Sequence, residues 1–183
     1  FDDDANADSP ISLRVIDLTQ PEGTLWRGVR KSYKALIHRG VERFAVSIAD
    51  ADDCGRGFEA YHYLHRTQYA EPRPDATYHM QHDWLHRGAA LVAFALPLGR
   101  GAIGTAYWLI HKGSAYYSSG AYAEDNVAHA VVWRSLLALK ERGVTRAVMA
   151  WRGLEKTEKE RNVTHFKIGF GGLDVPVAVG EAT

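Results

Sequence analysis

The sequence predicts a mixed α/β protein in which a mostly antiparallel, twisted sheet is flanked by helices. Segments patterned as helices fill much of the first half, and three segments patterned as strands then follow in series with short turns between them. After these, a long helical segment alternates with further strands. The 183 residues, of which 46% are hydrophobic and 24% charged, are ordinary for one globular domain with a sizeable core.

The chain begins with a polar tail, a short strand and a helix. Residues 1–10 have the composition of a solvated acidic tail, and ISLRVIDL (11–18) is patterned as a short strand or an extended lead-in. The pattern predicts a helix from Thr24, as its N-cap, to about His38, with Gly40 as its stop. Its apolar residues recur at helical spacing on one face, which is typical of an amphipathic helix.

The next segments predict a strand and two helices. RFAVSIA (43–49) is patterned as a strand, and the acidic cluster Asp50–Asp53 is expected to cap a helix over about 57–68. A proline-rich loop then leads to a third helix, and we expect Gly88 to stop it because glycine readily adopts the left-handed conformation found at helix ends.

The second half of the chain predicts an antiparallel meander followed by alternating helices and strands. The three strands of the meander are ALVAFAL (90–96), AIGTAYWLIHK (102–112) and SAYYSSGAY (114–122). The longest predicted helix, over 123–143, comes next. The remaining segments are a strand at 145–151, a charged loop at 152–162, a short helix at 163–172 and a last strand at 173–179.

This order of elements is that of the GCN5-related acetyltransferase architecture. Two segments resemble the second acyltransferase-like domain of the FemABX peptidyl transferases. LWRGVRKSYKALIHRG (Leu25–Gly40) is similar to the basic helix that opens that domain, and KTEKERNVTHFKIGFGG (Lys156–Gly172) resembles its C-terminal signature. The likeness covers roughly residues 24–179. It implies a tail and lead-in strand at 1–23, followed by a single acyltransferase-like domain at 24–183.

The resemblance implies an amide-forming transferase. Members of the family take an amino acid from aminoacyl-tRNA and add it to an amine of a peptidoglycan precursor. We therefore expect transfer of an aminoacyl or acyl group from an activated donor to an amine on a small molecule or peptide, with aminoacyl-tRNA as co-substrate and no bound cofactor. Typical members have two such domains and this chain has room for one, so the acceptor stays open. An acyl-CoA-dependent N-acyltransferase and a non-catalytic binding domain are the alternatives.

The resemblance also implies catalytic residues. Lys167 matches the lysine of the family's Phe-Lys pair, and its ammonium is expected to stabilise the oxyanion that forms when a carbonyl is attacked. Phe166 is expected to exclude water, although by pattern alone both are ordinary residues of an amphipathic helix. Tyr117 lies in the strand that resembles the family's tyrosine-bearing strand at the acceptor cleft. Strand alternation predicts Tyr116 and Tyr122 on one face and Tyr117 on the other.

Basic residues are the candidates for binding anionic groups. Arg66 and Arg73 flank the loop where the family has an acceptor-binding arginine, and the arginine fork suits phosphate or carboxylate. The densest basic stretch, which would contact tRNA phosphates or form the solvated face of a helix, comprises Arg27, Arg30, Lys31 and Lys34.

The turn before the longest helix argues against a CoA donor. Acetyl-CoA enzymes of this architecture bind the pyrophosphate with a glycine-rich turn at that helix start. Here no glycine lies between Gly120 and Gly143, and Glu124 and Asp125 occupy the place of the pyrophosphate. The nearest glycine cluster, GRGAIG (99–104), lies in a hairpin instead.

The composition limits the other classes of function. The 22 basic and 22 acidic side chains balance, so no global field attracts nucleic acid or a membrane surface, and any such contact needs a local patch. Cys54 is the only cysteine, which favours a reducing, cytoplasmic location, and no apolar run approaches the roughly 20 residues that span a bilayer. The sequence leaves the oligomeric state open.

The histidines give only a weak signal for a metal site. They recur at helical spacing, but in no spacing typical of metal ligands, and we expect no metal. Nothing in the sequence ties a particular histidine to Cys54 as a catalytic pair. The histidines with helical spacing are His62, His65, His79, His82 and His86.

Overall fold

A computed structural model describes residues 11–69, 71–97, 101–124 and 126–177, so the predicted acidic tail lies outside the described residues. The described part forms seven strands and six helices. The first half contains β1 (Ser12–Asp17), α1 (Glu22–Gly28), α2 (Lys31–Arg43), β2 (Val46–Ala49), α3 (Cys54–Gln68), α4 (Asp75–His86) and β3 (Ala90–Ala95). The second half contains β4 (Gly104–His111), β5 (Ser114–Tyr122), α5 (Val127–Glu141), β6 (Arg146–Arg152), α6 (Glu158–Ile168) and β7 (Leu173–Pro176).

The strands form one sheet in the order β2-β3-β4-β5-β6-β1-β7. Every neighbouring pair is antiparallel except β5 and β6, which confirms the predicted mixed, mostly antiparallel class and the meander of β3, β4 and β5. The predicted lead-in strand, β1, lies inside this sheet and pairs with both β6 and β7. The division of the chain at residue 23 stays a prediction.

The parallel pair of β5 and β6 is short, and this creates an opening in the sheet. Pairing runs only from Ser114 opposite Arg146 to Tyr116 opposite Val148. Both strands continue beyond that point, β5 to Tyr122 and β6 to Arg152, without pairing with each other. Residues of α6 line cavities together with both strands, so this helix lies at the opening.

The hydrophobic core has two parts, one on each face of the sheet. The larger part includes Trp108, Leu136 and Met149 and brings α1, α2 and α5 onto one face. The smaller part includes Tyr61 and Leu85 and brings α3 and α4 onto the other. All six residues of β3 are buried, because this strand is covered on both faces, and its unbroken apolar sequence follows from that.

The predicted first helix is wrong in its bounds, because the segment forms two helices. α1 begins at Glu22, two residues before the predicted cap Thr24. The helical conformation is interrupted after Gly28 and resumes at Lys31. Gly40 lies within α2 and does not stop it. A Cβ atom on Gly40 would lie 2.7 Å from the Cβ atom of Ala130, so this glycine allows α2 to approach α5 closely.

The acidic cluster before α3 has a different role from the predicted cap. The helix starts at Cys54, and the Asp53 side chain makes no capping hydrogen bond. Asp50 instead forms an ion pair with Arg142, which joins this loop to the end of α5. α5, which was predicted to be the longest helix, has 15 residues, and α3 has the same length.

The predicted charged loop before the last helix is partly helical. α6 begins at Glu158 with a capping box, in which the Thr157 side chain accepts from the Glu160 backbone N–H and the Glu160 carboxylate accepts from the Thr157 backbone N–H. At the other end of α6, the backbone N–H of Arg30 donates to the Gly169 carbonyl over 2.9 Å. The C-terminal end of α6 is therefore hydrogen-bonded to the segment that separates α1 from α2.

Candidate active site

A cavity of about 850 Å³ lies beside the opening between β5 and β6. Its walls come from the second half of β5, from α6, from the first turn of α5 and from the loop between α3 and α4. A second cavity of about 590 Å³ is lined by residues of β6 and α6. Lys167 lines both cavities, which places its side chain between them.

The ammonium of Lys167 is half-buried and lies over an aromatic ring. Its Nζ is 4.7 Å from the centroid of the Tyr117 ring, a favourable cation–π contact. Among the residues that the structure describes, no acidic side chain pairs with this Nζ. Burial lowers the pKa of Lys167 to about 8, because the charged form loses contact with water. The side chain therefore stays mostly protonated near pH 7, with its N–H donors available.

Tyr117 and Tyr122 lie on the same face of β5, so the predicted alternation is wrong. Tyr107 of β4 pairs with Ser119 and Trp108 pairs with Tyr117, which leaves Ser118 as the extra residue of a β-bulge. Beyond the bulge the side chains change faces. The hydroxyl groups of Tyr117 and Tyr122 are consequently 2.6 Å apart and hydrogen-bonded.

Both phenols are neutral at physiological pH. Burial raises the pKa of Tyr117 and raises that of Tyr122 well above its usual range. Gly120 lies between them on the strand, and a Cβ atom there would collide with both hydroxyl oxygens. The pair therefore depends on this glycine, whose role sequence reasoning missed because a bulge has no clear local signal here.

Phe166 is both a wall of the cavity and part of an aromatic cluster. Its ring centroid lies 5.3 Å from those of His129 and Phe170 and 6.1 Å from that of Tyr33. Burial lowers the pKa of His129 to about 4, so this imidazole is neutral among the rings. The cluster fixes the C-terminal turn of α6, the turn from which Lys167 projects.

Arg73 is the predicted binding residue that the fold brings to the cavity. It lies on the α3–α4 loop, is partly buried, and makes no ion pair or hydrogen bond with the described residues. Its neighbours on this wall include His65, whose pKa is lowered to about 4 by burial and further by the charge of Arg73. The Tyr69 hydroxyl donates to the Gly120 carbonyl over 2.7 Å, which joins this wall to β5.

The other five basic candidates do not line this cavity. Arg27 donates to the Thr24 hydroxyl over 2.9 Å. Arg66 pairs with Asp75 over 2.7 Å on the surface. Arg30 lies 2.8 Å from His165 and over the Tyr33 ring, so it supports the junction of α2 and α6. The remaining two are Lys31, exposed at the start of α2, and Lys34, whose Nζ is 5.7 Å from the Trp26 ring centroid.

The turn before α5 should repel an anion less strongly than its acidic sequence indicates. The Glu124 carboxylate accepts from Arg43 over 3.1 Å, so its charge is partly compensated. Asn126 adopts the left-handed conformation, with φ of 68°, immediately before the helix. Asp125, and residues 99 and 100 of the predicted glycine cluster, lie outside the described residues.

The histidines do not assemble into a metal site in the described part of the chain, where no group of three or more metal-binding side chains converges. The structure does bring Cys54 close to a histidine, since the Sγ atom of Cys54 lies 3.7 Å from Nδ1 of His86. The sequence could not indicate this pairing. Neither residue lines the cavity that contains Lys167.

No protein-family model and no curated protein matches the chain by sequence. Solved structures do match its fold. FemX aligns with a TM-score of 0.71 at 10% identity, over 91% of this chain and 59% of FemX. The C-terminal domain of a putative lysylphosphatidylglycerol synthetase from Agrobacterium fabrum aligns with a TM-score of 0.63 at 13% identity, over 90% of this chain and 57% of that chain.

A GCN5-related glucosamine N-acetyltransferase region of a fungal multi-domain β-N-acetylglucosaminidase also aligns, with a TM-score of 0.54 at 13% identity, over 92% of this chain and 20% of that one. The chain thus has the fold shared by Fem-type and GCN5-related acyltransferases, as the sequence predicted. It spans less than three fifths of the FemX and synthetase chains that it matches. No helix in the described residues has the length and apolar character needed to cross a membrane.

Proposed function

We propose that the protein transfers an aminoacyl or acyl group from an activated donor to an amine, with the reacting carbonyl beside Lys167. The observation that carries this proposal is the ammonium of Lys167, half-buried without an acidic partner among the described residues and lining two cavities. An uncompensated charge in such a place costs stability, and a pre-positioned cation is what an oxyanion needs.

The proposed reaction is aminolysis of an activated ester. The amine nitrogen attacks the carbonyl carbon, so a C–N bond forms and the carbonyl oxygen becomes an oxyanion. Lys167 donates a hydrogen bond to that oxygen. When the carbonyl re-forms, the C–O bond to the donor breaks, and the departing oxygen takes the proton released by the amine. With aminoacyl-tRNA the departing group is a ribose hydroxyl.

The charges of the cavity favour a reactive amine. An amine must lose its proton before it attacks, and nearby positive charges lower the pKa of a bound amine. Lys167 and Arg73 both line the cavity, so an acceptor amine between them would be held in its neutral form. The neutral phenols of Tyr117 and Tyr122 add no opposing negative charge.

Arg73 is proposed to bind the acceptor. Its guanidinium has no partner among the described residues and faces the same cavity as Lys167, so a carboxylate or phosphate of the acceptor would satisfy it. The basic residues of α2 lie elsewhere. If tRNA is the donor, those residues would bind its phosphates away from the reacting carbonyl.

An acyl-CoA donor is the second candidate, because the Glu124–Arg43 pair reduces the acidic charge at the start of α5. A purely binding role is less favoured, since Lys167 projects into a cavity and not into bulk solvent.

Incubation with a panel of amines and either charged tRNA or acyl-CoA, followed by mass spectrometry of the amines, tests the proposal and identifies the donor. We expect amide product with the wild type and at least a hundredfold less with Lys167→Met, the loss typical of removing an oxyanion donor. Lys156→Met is the matched control, because Lys156 is an exposed lysine just before the same helix and lines neither cavity. Equal product from both variants would refute the role of Lys167.

A further inference from the structure

The β-bulge at Ser118 changes which side chains of β5 share a face, and regular pairing with β4 would not produce this result. It turns Tyr117 and Tyr122 to one face, where their hydroxyls bond over 2.6 Å above Gly120. Both tyrosines line the cavity that contains Lys167. Bulges are over-represented next to active sites, where they re-aim side chains, and here the re-aimed side chains border the ammonium of Lys167.

The Tyr117 ring is held from several sides. It packs nearly perpendicular to the Trp108 ring, with ring centroids 5.0 Å apart, and its hydroxyl has Tyr122 as its one hydrogen-bond partner among the described side chains. Tyr117 is 4% exposed, and its hydrogen bond to Tyr122 fixes the hydroxyl end of the ring, so loss of that bond from either side would let the ring shift. The position of the ring face below Lys167 therefore depends on Tyr122.

We infer that Tyr122 is a positioning residue, which holds the face of Tyr117 beneath the Lys167 ammonium and thereby keeps that ammonium charged. This inference deepens the proposed function and rests on it for its catalytic meaning. A ring face favours the protonated amine, whereas burial favours the neutral one. Loss of the ring contact would shift Lys167 towards its uncharged form, which donates poorly to an oxyanion.

The other ionisable groups near Lys167 do not replace this contact. None of them makes a hydrogen bond or ion pair with its Nζ in the described structure. From α6 and the loop before it, they are Glu155, Glu158, Lys159 and Glu160. From α3 and the loop after it they are His65, Tyr69, Glu71 and Arg73, and β5 adds Tyr116.

The test measures the protonation of Lys167 without using acyl transfer. The protein is labelled briefly with an acetylating reagent from pH 6 to pH 10, and peptide mass spectrometry gives the pH of half-maximal labelling at Lys167. We expect Tyr122→Phe to lower this midpoint by roughly half to one pH unit, the value of a cation–π contact. Lys156, exposed just before the same helix and lining neither cavity, is the internal reference, and its midpoint should not move.

A double variant separates positioning from a general disturbance of the site. Tyr117→Leu removes the ring and should lower the labelling midpoint of Lys167 at least as far as Tyr122→Phe does. Because Tyr122 is inferred to act through that ring, adding Tyr122→Phe to Tyr117→Leu should change nothing further. An unchanged midpoint in Tyr122→Phe, or a fully additive shift in the double variant, would overturn the inference.

If Tyr122→Phe does not fold, Tyr117→Phe removes the same hydrogen bond from the other side. It must then give the same downward shift, and an unmoved midpoint would again overturn the inference. The result is also separable from the proposed function. A shift in labelling without any amide product would retain the positioning role and reject the transferase, whereas product formation with no shift would do the reverse.

Discussion

Replacing Lys167 by methionine should make the protein more stable while abolishing its proposed activity. Burial lowers the pKa of Lys167 from 10.5 to about 8, so the folded state holds the proton less tightly than the unfolded chain does. This difference corresponds to roughly 3 kcal/mol of destabilisation at pH 7. We therefore expect Lys167→Met to raise the free energy of unfolding by about 2–3 kcal/mol.

The effect has a pH dependence that identifies its cause. Between about pH 8 and pH 10.5 the folded protein has released this proton and the unfolded chain has not. The unfolded state then binds more protons, so raising the pH stabilises the wild type through this group. The methionine variant lacks that gain. Its advantage over the wild type should be full at pH 7 and should shrink across this window.

Urea denaturation followed by tryptophan fluorescence, at pH 7, 8, 9 and 10, measures the difference. Any gain in apolar packing by methionine does not depend on pH, so the pH-dependent part isolates the charge. Lys159→Met serves as the control, because that lysine is exposed. A difference between Lys167→Met and wild type that is zero, or the same at every pH, would mean that the ammonium is solvated and would refute the electrostatic argument.

Three further predictions follow from the site. Arg73→Ala should raise KM for the acceptor in steady-state assays and lower kcat by a smaller factor, because Lys167 still favours the neutral amine, whereas Arg66→Ala, outside the cavity, should leave KM unchanged; equal effects would remove Arg73 from the binding site. Gly120→Ala should cost about 1–3 kcal/mol in urea denaturation because it overpacks the tyrosine pair, while Gly55→Ala, with open space around it, should cost nothing comparable. Thr157→Ala should lower stability by about 1 kcal/mol through loss of the capping box, and a neutral result would show that α6 does not depend on its cap.

The sequence predicted the elements whose patterns are local. The meander of β3, β4 and β5 follows from apolar runs separated by turn residues, and the last helix follows from its apolar spacing. The true start of α6 could also have been predicted from the sequence, because threonine followed three residues later by glutamate is the capping-box pattern. The family resemblance then selected Lys167 and Phe166, which the pattern alone treats as surface and core residues of a helix.

Other features depend on contacts between distant segments. The break between α1 and α2 accommodates the end of α6, where the Arg30 backbone bonds to Gly169, and a Cβ atom on Gly169 would overlap the Tyr33 ring. No local preference in the basic stretch predicts this break. The same contacts place Arg30 at a helix junction, although its charge pattern is equally typical of phosphate binding.

By itself the sequence determined the fold class and the helix that presents Lys167, because periodic burial and capping act between residues close in the chain. Only the tertiary structure decided that Tyr122 joins Tyr117, that Arg73 and not Arg66 reaches the cavity, and that β5 separates from β6 beside Lys167. A strand's faces follow simple alternation until a bulge interrupts it, and the bulge is set by its pairing with β4.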